Sequence, residues 1–86
     1  MKVYLVWHFD LEDYGDPDLE ENVNEIEKGF LSKENATHYI EKELDRIYTE
    51  TKLEDPSATL DEDWRIEFER GRRWIFYRIQ ELKIED

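Results

Sequence analysis

The chain has 86 residues, a formal net charge of -12 at pH 7 and no cysteine. This length fits one domain, residues 1–86, and the lack of cysteine excludes a disulfide framework, a thiolate nucleophile and a cysteine-based zinc site. Because 24 residues are acidic and only 12 are Lys or Arg, charge repulsion disfavours direct binding to nucleic acid or to an anionic membrane.

The N-terminal segment has the period of two that is typical of a strand. Its odd-numbered positions are apolar: Val3, Leu5, Trp7, Phe9 and Leu11. Tyr4 and Val6 make the second face of the strand partly apolar as well. The segment is too short and too quickly acidic for a signal peptide, and no apolar run approaches the ~20 residues that span a bilayer. We therefore expect a cytoplasmic protein.

An acidic run follows, with nine carboxylates and no Lys or Arg over residues 10–27. Gly15, Asp16 and Pro17 mark a turn inside it. We predict an acidic loop at about residues 10–25. The spacing of Asp13, Asp16 and Asp18 does not match an EF-hand loop, so we expect no calcium site of that kind and no metal ligand in this run, with a loose, weak cation site as the alternative.

Residues 25–31 predict a short second strand, and a helix follows at residues 33–50. Ser32 has the side chain of an N-cap, and Glu34 suits the positive end of the helix dipole. The apolar stripe of the helix recurs at helical spacing: Ala36, Tyr39, Ile40, Leu44, Ile47 and Tyr48.

The C-terminal third predicts a polar connection over residues 51–63 and then a β-hairpin. Trp64, Ile66 and Phe68 alternate with charged residues, Gly71 is the reversal point, and residues 73–84 form the last strand. The apolar phase of that strand changes midway, which a bulge near Gln80 would explain. The predicted class is α+β, with one helix on a mostly antiparallel sheet of three to four strands in the order β-(β)-α-β-β.

The sequence carries no strong catalytic or cofactor motif, so we expect neither an enzyme nor a cofactor. Paired carboxylates have little specificity in so acidic a chain. Ser32 is explained by helix capping, and His8 lies on a half-exposed strand, where a satisfied structural histidine is more common than a general base.

Basic residues concentrate in the final hairpin, interleaved with aromatic residues. They are Arg65, Arg70, Arg72, Arg73 and Arg78. The mixture is also found in proteins that bind single-stranded nucleic acid, but the global charge argues against that partner. We expect these arginines to neutralise nearby carboxylates, with anchoring of a protein partner as the alternative.

The aromatic residues exceed what one helix can cover, so one sheet face is predicted to remain apolar and open. We expect Tyr4, Val6 and part of the last strand to line it. A homodimer through that face, or a partner docking there, is one hypothesis, and the acidic loop folding over it is the other.

Three segments resemble small uncharacterised phage and prophage proteins: the strand start at residues 2–6, the G-F-L-S-K-E-N-A helix entry at residues 29–36, and the aromatic strand W-I-F-Y-R-I-Q-E-L at residues 74–82. The resemblance covers most of the chain except the acidic loop, and it carries over no functional residue. The chain is also similar in kind to acidic phage anti-CRISPR and anti-restriction inhibitors, which implies the host cytoplasm as its location.

The leading functional hypothesis is a non-enzymatic module that presents carboxylates to a basic protein surface, such as the nucleic-acid groove of a host nuclease or defence complex. The density of charge allows mimicry of a phosphate backbone. The predicted partner-binding residues are Asp10, Glu12, Asp13, Asp16, Asp18, Glu20, Glu21, Asp61, Glu62 and Asp63. The alternative is a homo-oligomeric structural or accessory module that uses an apolar sheet face.

Overall fold

The computed structural model describes residues 1–12 and 22–85. Its elements are β1 (Lys2–Glu12), β2 (Asn22–Phe30), α1 (Lys33–Glu54), β3 (Thr59–Leu60), β4 (Arg65–Phe68) and β5 (Arg73–Lys83). The strands form one antiparallel sheet in the order β2-β1-β5-β4-β3, and α1 packs against one face of it. The α+β class with a single packed helix is confirmed for the described residues.

Over residues 1–12 and 22–85 the sheet has five strands, so the predicted count of three to four and the predicted element order are wrong. The missed strand is β3, in which Thr59 pairs with Glu67 and Leu60 pairs with Ile66. Two residues are too few to show an alternating pattern. In addition, β1 continues through Glu12 and β2 begins at Asn22, so both ends of the predicted acidic loop are strand residues.

The helix begins as predicted, because the Ser32 hydroxyl accepts a hydrogen bond from the Asn35 amide at 3.2 Å. It ends at Glu54, four residues beyond the predicted end. Asp55 leaves the helical region because it precedes Pro56, whose ring disfavours helical backbone in the residue before it. Within the described residues, no helix combines the length and apolar character that crossing a bilayer requires.

The core lies between α1 and the sheet face beneath it. Its buried members are Val6, Ala36, Ile40, Leu44, Ala58, Ile66, Phe68, Ile75 and Tyr77. α1 supplies Ala36, Ile40 and Leu44, at the spacing of one helical stripe. The buried residues of the sheet come from β1, β4 and β5, and Phe30 of β2 also packs against the core, so the helix covers four neighbouring strands.

The predicted assignment of the two sheet faces is reversed in the structure. Val6 is fully buried under the helix, and Tyr4 packs against the core. Register explains the reversal: Val6 lies opposite Ile79 and His8 lies opposite Tyr77, so the even-numbered side of β1 joins the odd-numbered side of β5. The odd-numbered apolar residues of β1 therefore lie on the face away from α1.

The predicted bulge near Gln80 is wrong. β5 pairs with β1 without interruption from Lys83 to Arg73, and the change of apolar phase leaves Leu82 39% exposed on the uncovered face. The irregularity lies instead between β1 and β2, where Val6 pairs with Lys28 but Trp7 pairs with Ile26. The change of apolar phase in β5 therefore means that its last apolar residues lie on the uncovered face of the sheet, and it does not indicate an extra residue in the strand.

Gly71 does reverse the chain between β4 and β5, as predicted. Its φ is +78°, and a Cβ there would lie 2.8 Å from the Glu67 Oε1 atom. Its amide donates to the Phe68 carbonyl at 3.2 Å. Glycine is favoured at this position because its positive φ strains a residue that has a Cβ, and a Cβ would also require the flexible end of the Glu67 side chain to move.

Asp55 ties the end of α1 to the hairpin. Its Oδ1 accepts from the Ser57 amide at 3.0 Å and from the Ser57 hydroxyl at 2.5 Å, and its Oδ2 accepts from the Glu69 amide at 2.7 Å. The hydrogen bond from the Ser57 hydroxyl, followed by those from the Glu69 and Ser57 amides, lowers the pKa of Asp55 below its ordinary value. A carboxyl group with a lowered folded-state pKa stabilises the fold above its unfolded-state pKa, and this stability is lost as pH falls through the folded-state value.

We therefore expect the wild-type chain to lose its stability advantage over the Asp55→Asn variant as pH falls below about 4. Urea unfolding of both chains at several pH values measures this difference. Asp45→Asn, at an exposed helix position, is the matched control, and its difference from wild type should change little. A constant gap between wild type and Asp55→Asn across the acid range would contradict the role assigned to Asp55.

Candidate functional site

The sheet face that α1 leaves uncovered is apolar along β1 and β5, and we call it the open face. Its apolar side chains are Val3, Leu5, Trp7, Phe9 and Leu11 of β1, Ile26 of β2, and Trp74, Phe76 and Leu82 of β5. None of them belongs to the core cluster or packs against it. A contiguous apolar area of this kind on a small protein is typical of an interaction surface.

Ring contacts order the middle of the open face. Phe9 and Phe76 face each other across β1 and β5, with ring centroids 4.6 Å apart and planes 6° from parallel. Trp7 stacks beside Phe9 at 6.2 Å, and its indole N–H donates to Gln80 Oε1 at 2.8 Å. The Arg78 guanidinium lies 4.8 Å from the Phe76 ring centroid. These contacts hold the rings in place before any partner arrives.

Charge is distributed unequally between the two faces of the sheet. By strand alternation the open face of β4 and β5 carries Arg65, Glu67 and Arg78, and these nearly cancel. The carboxylates of Asp10 and Glu12 lie on the helix side, where both contact Arg73. The open face is therefore close to neutral, while the helix side carries much of the negative charge.

Arg73 engages the first two predicted partner-binding residues. Its Nη2 lies 3.0 Å from Asp10 Oδ2, its Nε lies 3.2 Å from Asp10 Oδ1, and Nε also lies 3.1 Å from Glu12 Oε1. The hydrogen bond with Asp10 is the main cause that raises the pKa of Arg73. Arg73 therefore neutralises Asp10 and Glu12 within the fold. This internal neutralisation is the role expected for the hairpin arginines.

The three residues of the second predicted acidic segment, 61–63, differ in their contacts. Asp61 Oδ2 pairs with Arg65 Nε at 2.9 Å, and its Oδ1 accepts from the Asp63 and Arg65 amides at 2.9 and 3.2 Å. Glu62 and Asp63 are exposed and line a shallow depression of about 320 Å³ with Trp64 and Arg78. Glu62 and Asp63 are therefore the members of this segment that remain displayed.

Among the described residues, Asp10 and Glu12 do not share one end of the sheet with Glu62 and Asp63. Glu12 and Phe68 both pair with Arg73, whereas Asp63 precedes the opposite end of β4. Four residues, 64–67, separate Asp63 from Phe68, and three of them belong to β4, so the two acidic groups lie about 13 Å apart along the sheet. The other predicted partner-binding residues lie outside the described part of the chain: Asp13, Asp16, Asp18, Glu20 and Glu21.

A cleft of about 520 Å³ lies between the end of α1 and the β4–β5 hairpin. It is lined by Thr51, Glu54, Asp55, Phe68, Glu69, Arg73 and Ile75. Its size suits a small ligand. However, Asp55 is bonded to Ser57 and Glu69, and Arg73 is bonded to Asp10 and Glu12. The side chains of Asp55 and Arg73, the polar groups of the cleft that would suit a ligand, are therefore already engaged in contacts that stabilise the fold.

A cluster that was not predicted from the sequence lies where β1 meets β2. His8 Nδ1 is 3.5 Å from Glu25 Oε1 and 3.7 Å from Glu27 Oε1. One potential ligand atom from each of the three residues lies within 4.8 Å of the others, so the group could hold a metal ion. Both ring nitrogens of His8 are buried without a hydrogen-bond partner, so the expectation of a satisfied structural histidine is wrong.

Comparison with known protein families, curated proteins and solved structures gives no match. The open face was present in the sequence as the strict alternation of β1, although assigned to the wrong side. The His8 cluster had only a weak signal, the spacing of Glu25 and Glu27 on one predicted strand. The pairing that brings them to His8 depends on an irregular register, which local sequence patterns do not reveal.

Proposed function

We propose that this protein is a non-enzymatic structural or accessory module that forms a homodimer through its open face. The observation that carries the proposal is the continuous apolar face on β1 and β5, ordered by the parallel rings of Phe9 and Phe76. A sheet of five strands with one helix leaves that face unpartnered among the described residues. Hiding it is worth roughly 25 cal/mol for each Å² of apolar area removed from water.

The net charge of -12 does not prevent a second copy from occupying the open face. Two sheets packed face to face lie about 10 Å apart, with each helix on the outside. The acidic helix-side groups of the two copies would then be separated by about 20 Å or more, which exceeds the Debye length of about 8 Å at physiological salt. The nearly neutral open faces would meet without strong repulsion.

The dimensions of the molecule are also sufficient for a stable dimer interface. The molecule measures 46 × 29 × 16 Å along its principal axes. A stable interface buries about 800 Å² on each partner, and the two longer dimensions accommodate that area. The aromatic centre with polar residues such as Gln80 and Arg78 beside it has the composition of a dimer interface.

Sedimentation equilibrium over about 1–100 µM tests the dimer, since a dimer with a micromolar or tighter dissociation constant is populated in this range. We expect the wild-type chain to dimerise and the Ile26→Glu and Phe9→Glu variants to be monomers. Ile26 is 50% exposed, so its replacement should leave folding intact even if Phe9→Glu does not. Leu53→Glu, at an 83% exposed helix position, is the control and should remain dimeric. A wild-type monomer throughout the range would refute the proposal.

A second candidate is binding of a basic protein surface, favoured by the exposed carboxylates of Glu62 and Asp63 beside the open face. In its finer form this partner is the nucleic-acid groove of a nuclease or defence complex, in line with the resemblance to phage inhibitors. Negative groups at such an edge would speed association, and salt would weaken it.

A purified single-strand-specific nuclease, assayed with and without the chain, tests the finer form. We expect inhibition at about 50 mM NaCl that falls at about 500 mM, and that is weaker for the double variant Glu62→Gln, Asp63→Asn. Glu34→Gln on the helix is the control for a general loss of charge. Inhibition that the double variant leaves unchanged, or that salt does not affect, would exclude this use of Glu62 and Asp63.

A further inference from the structure

The β-bulge between β1 and β2 assembles the cluster of His8, Glu25 and Glu27. Before it, Val6 pairs with Lys28, and the Lys28 ammonium lies 5.4 Å from the Tyr39 ring on the helix side. After it, Trp7 pairs with Ile26 and His8 pairs with Glu25. Glu27 is the extra residue between the two registers. Bulges re-aim side chains in this way, and they are over-represented next to functional sites.

Two tyrosines hold the Glu27 carboxylate in position. The Tyr39 hydroxyl donates to Glu27 Oε2 at 2.8 Å, and the Tyr77 hydroxyl donates to Glu27 Oε1 at 3.4 Å. Burial, together with hydrogen bonding to Glu27, raises the pKa of Tyr39 to about 12, so this hydroxyl keeps its proton at neutral pH. The His8 ring stacks on Tyr77 with centroids 5.1 Å apart. Orientation of ligands by such outer contacts is characteristic of metal sites.

The distances within the cluster are too long for direct hydrogen bonds. His8 Nδ1 lies 3.5 and 3.7 Å from the two carboxylate oxygens, whereas an N–H···O bond is about 2.7–3.2 Å long. Ligand atoms held at about 2.0–2.2 Å around a tetrahedral Zn²⁺ lie about 3.3–3.6 Å apart. The two distances from His8 Nδ1 are near this range, so they suit a shared central ion better than a proton held between His8 and either glutamate.

We propose that His8, Glu25 and Glu27 form a Zn²⁺-binding site, with His8 binding through Nδ1 and each glutamate through one oxygen. Imidazole and carboxylate ligands suit Zn²⁺, and a site with three protein ligands leaves the fourth position to water or a small ligand. The ion would neutralise the two carboxylates, and it would satisfy His8 Nδ1, which is buried and unpartnered. The proposal is independent of dimerisation, because the cluster lies on the helix side of the sheet.

Calorimetric titration of the untagged, EDTA-treated chain with ZnCl₂ tests the site. We expect one ion to bind to each chain, with at least about tenfold weaker binding for Glu25→Gln and for His8→Asn. Glu25 is 58% exposed at its side chain, so Glu25→Gln tests the site even if His8→Asn fails to fold. Tyr39→Phe, which removes only the outer hydrogen bond to Glu27, should weaken binding by about 10- to 100-fold.

Two controls separate the site from general attraction of a cation to an acidic chain. His38→Ala removes an exposed helix histidine, and Glu62→Gln removes an exposed carboxylate, so neither should change the affinity. Co²⁺ in place of Zn²⁺ should give the visible absorption of a tetrahedral site in wild type and not in Glu25→Gln. Absence of binding, or binding that His38→Ala or Glu62→Gln weakens as much as Glu25→Gln does, would overturn the proposal.

Discussion

Replacing Ile40 with alanine is expected to cost about 2–5 kcal/mol of unfolding free energy. Ile40 is fully buried on the inner face of α1, where the core holds only nine buried residues among those described. The substitution removes apolar contact and leaves a cavity that the surrounding strands cannot fill. Because domains of this size have only about 5–15 kcal/mol of stability in total, this loss should lower the urea midpoint of the variant clearly.

Urea unfolding followed by far-ultraviolet circular dichroism measures this loss. Leu53→Ala is the matched control, since it lies on the same helix but is 83% exposed, and we expect it to change stability by less than about 0.5 kcal/mol. If the two variants differed by less than about 1 kcal/mol, α1 would not pack on the sheet as described.

Replacing Arg73 with glutamine is expected to cost about 1–3 kcal/mol, mostly through the groups it leaves behind. Asp10 and Glu12 lie on the same side of β1, and both contact this one guanidinium at 3.0–3.2 Å. Without the guanidinium, the carboxylates of Asp10 and Glu12 would remain near each other on β1, and Arg73 would no longer neutralise their charges. The Arg73 side chain is 31% exposed, so solvent screens only part of the repulsion.

Chemical unfolding at low and high salt measures this effect. We expect the cost of Arg73→Gln to shrink as salt increases, because the remaining repulsion is screened. Arg72→Gln, at the exposed neighbouring position, is the control and should cost less than about 0.5 kcal/mol at either salt concentration. Equal costs for the two substitutions would mean that Arg73 does not stabilise the end of the sheet.

The two proposals concern opposite sides of the sheet and are tested separately. The dimer uses the odd-numbered side of β1, with Trp7 and Phe9, whereas the metal site uses the even-numbered side through His8. Ile26→Glu should therefore abolish dimerisation without changing Zn²⁺ affinity, and Glu25→Gln should do the reverse. The two residues are adjacent on β2, which makes them a close pair for comparison.

Local sequence determined the elements and their type. The period of two over Val3 to Leu11 established β1, the helical stripe with Ser32 before it established α1, and Gly71 established the final reversal. These predictions succeeded because strand alternation, helix capping and left-handed backbone depend on residues close together in the chain. β3 was not predicted, because its two residues are too few to show a periodic pattern.

The tertiary structure decided which side of each element is covered and which charges meet. Alternation shows that β1 has two apolar faces, but only the pairing of Val6 with Ile79 and the fit of α1 over Tyr77 select the buried one. Likewise, Arg73 reaches Asp10 across 63 residues of sequence, and a bulge brings Glu27 to His8. Register and long-range packing depend on the whole chain at once, so no local pattern contains them.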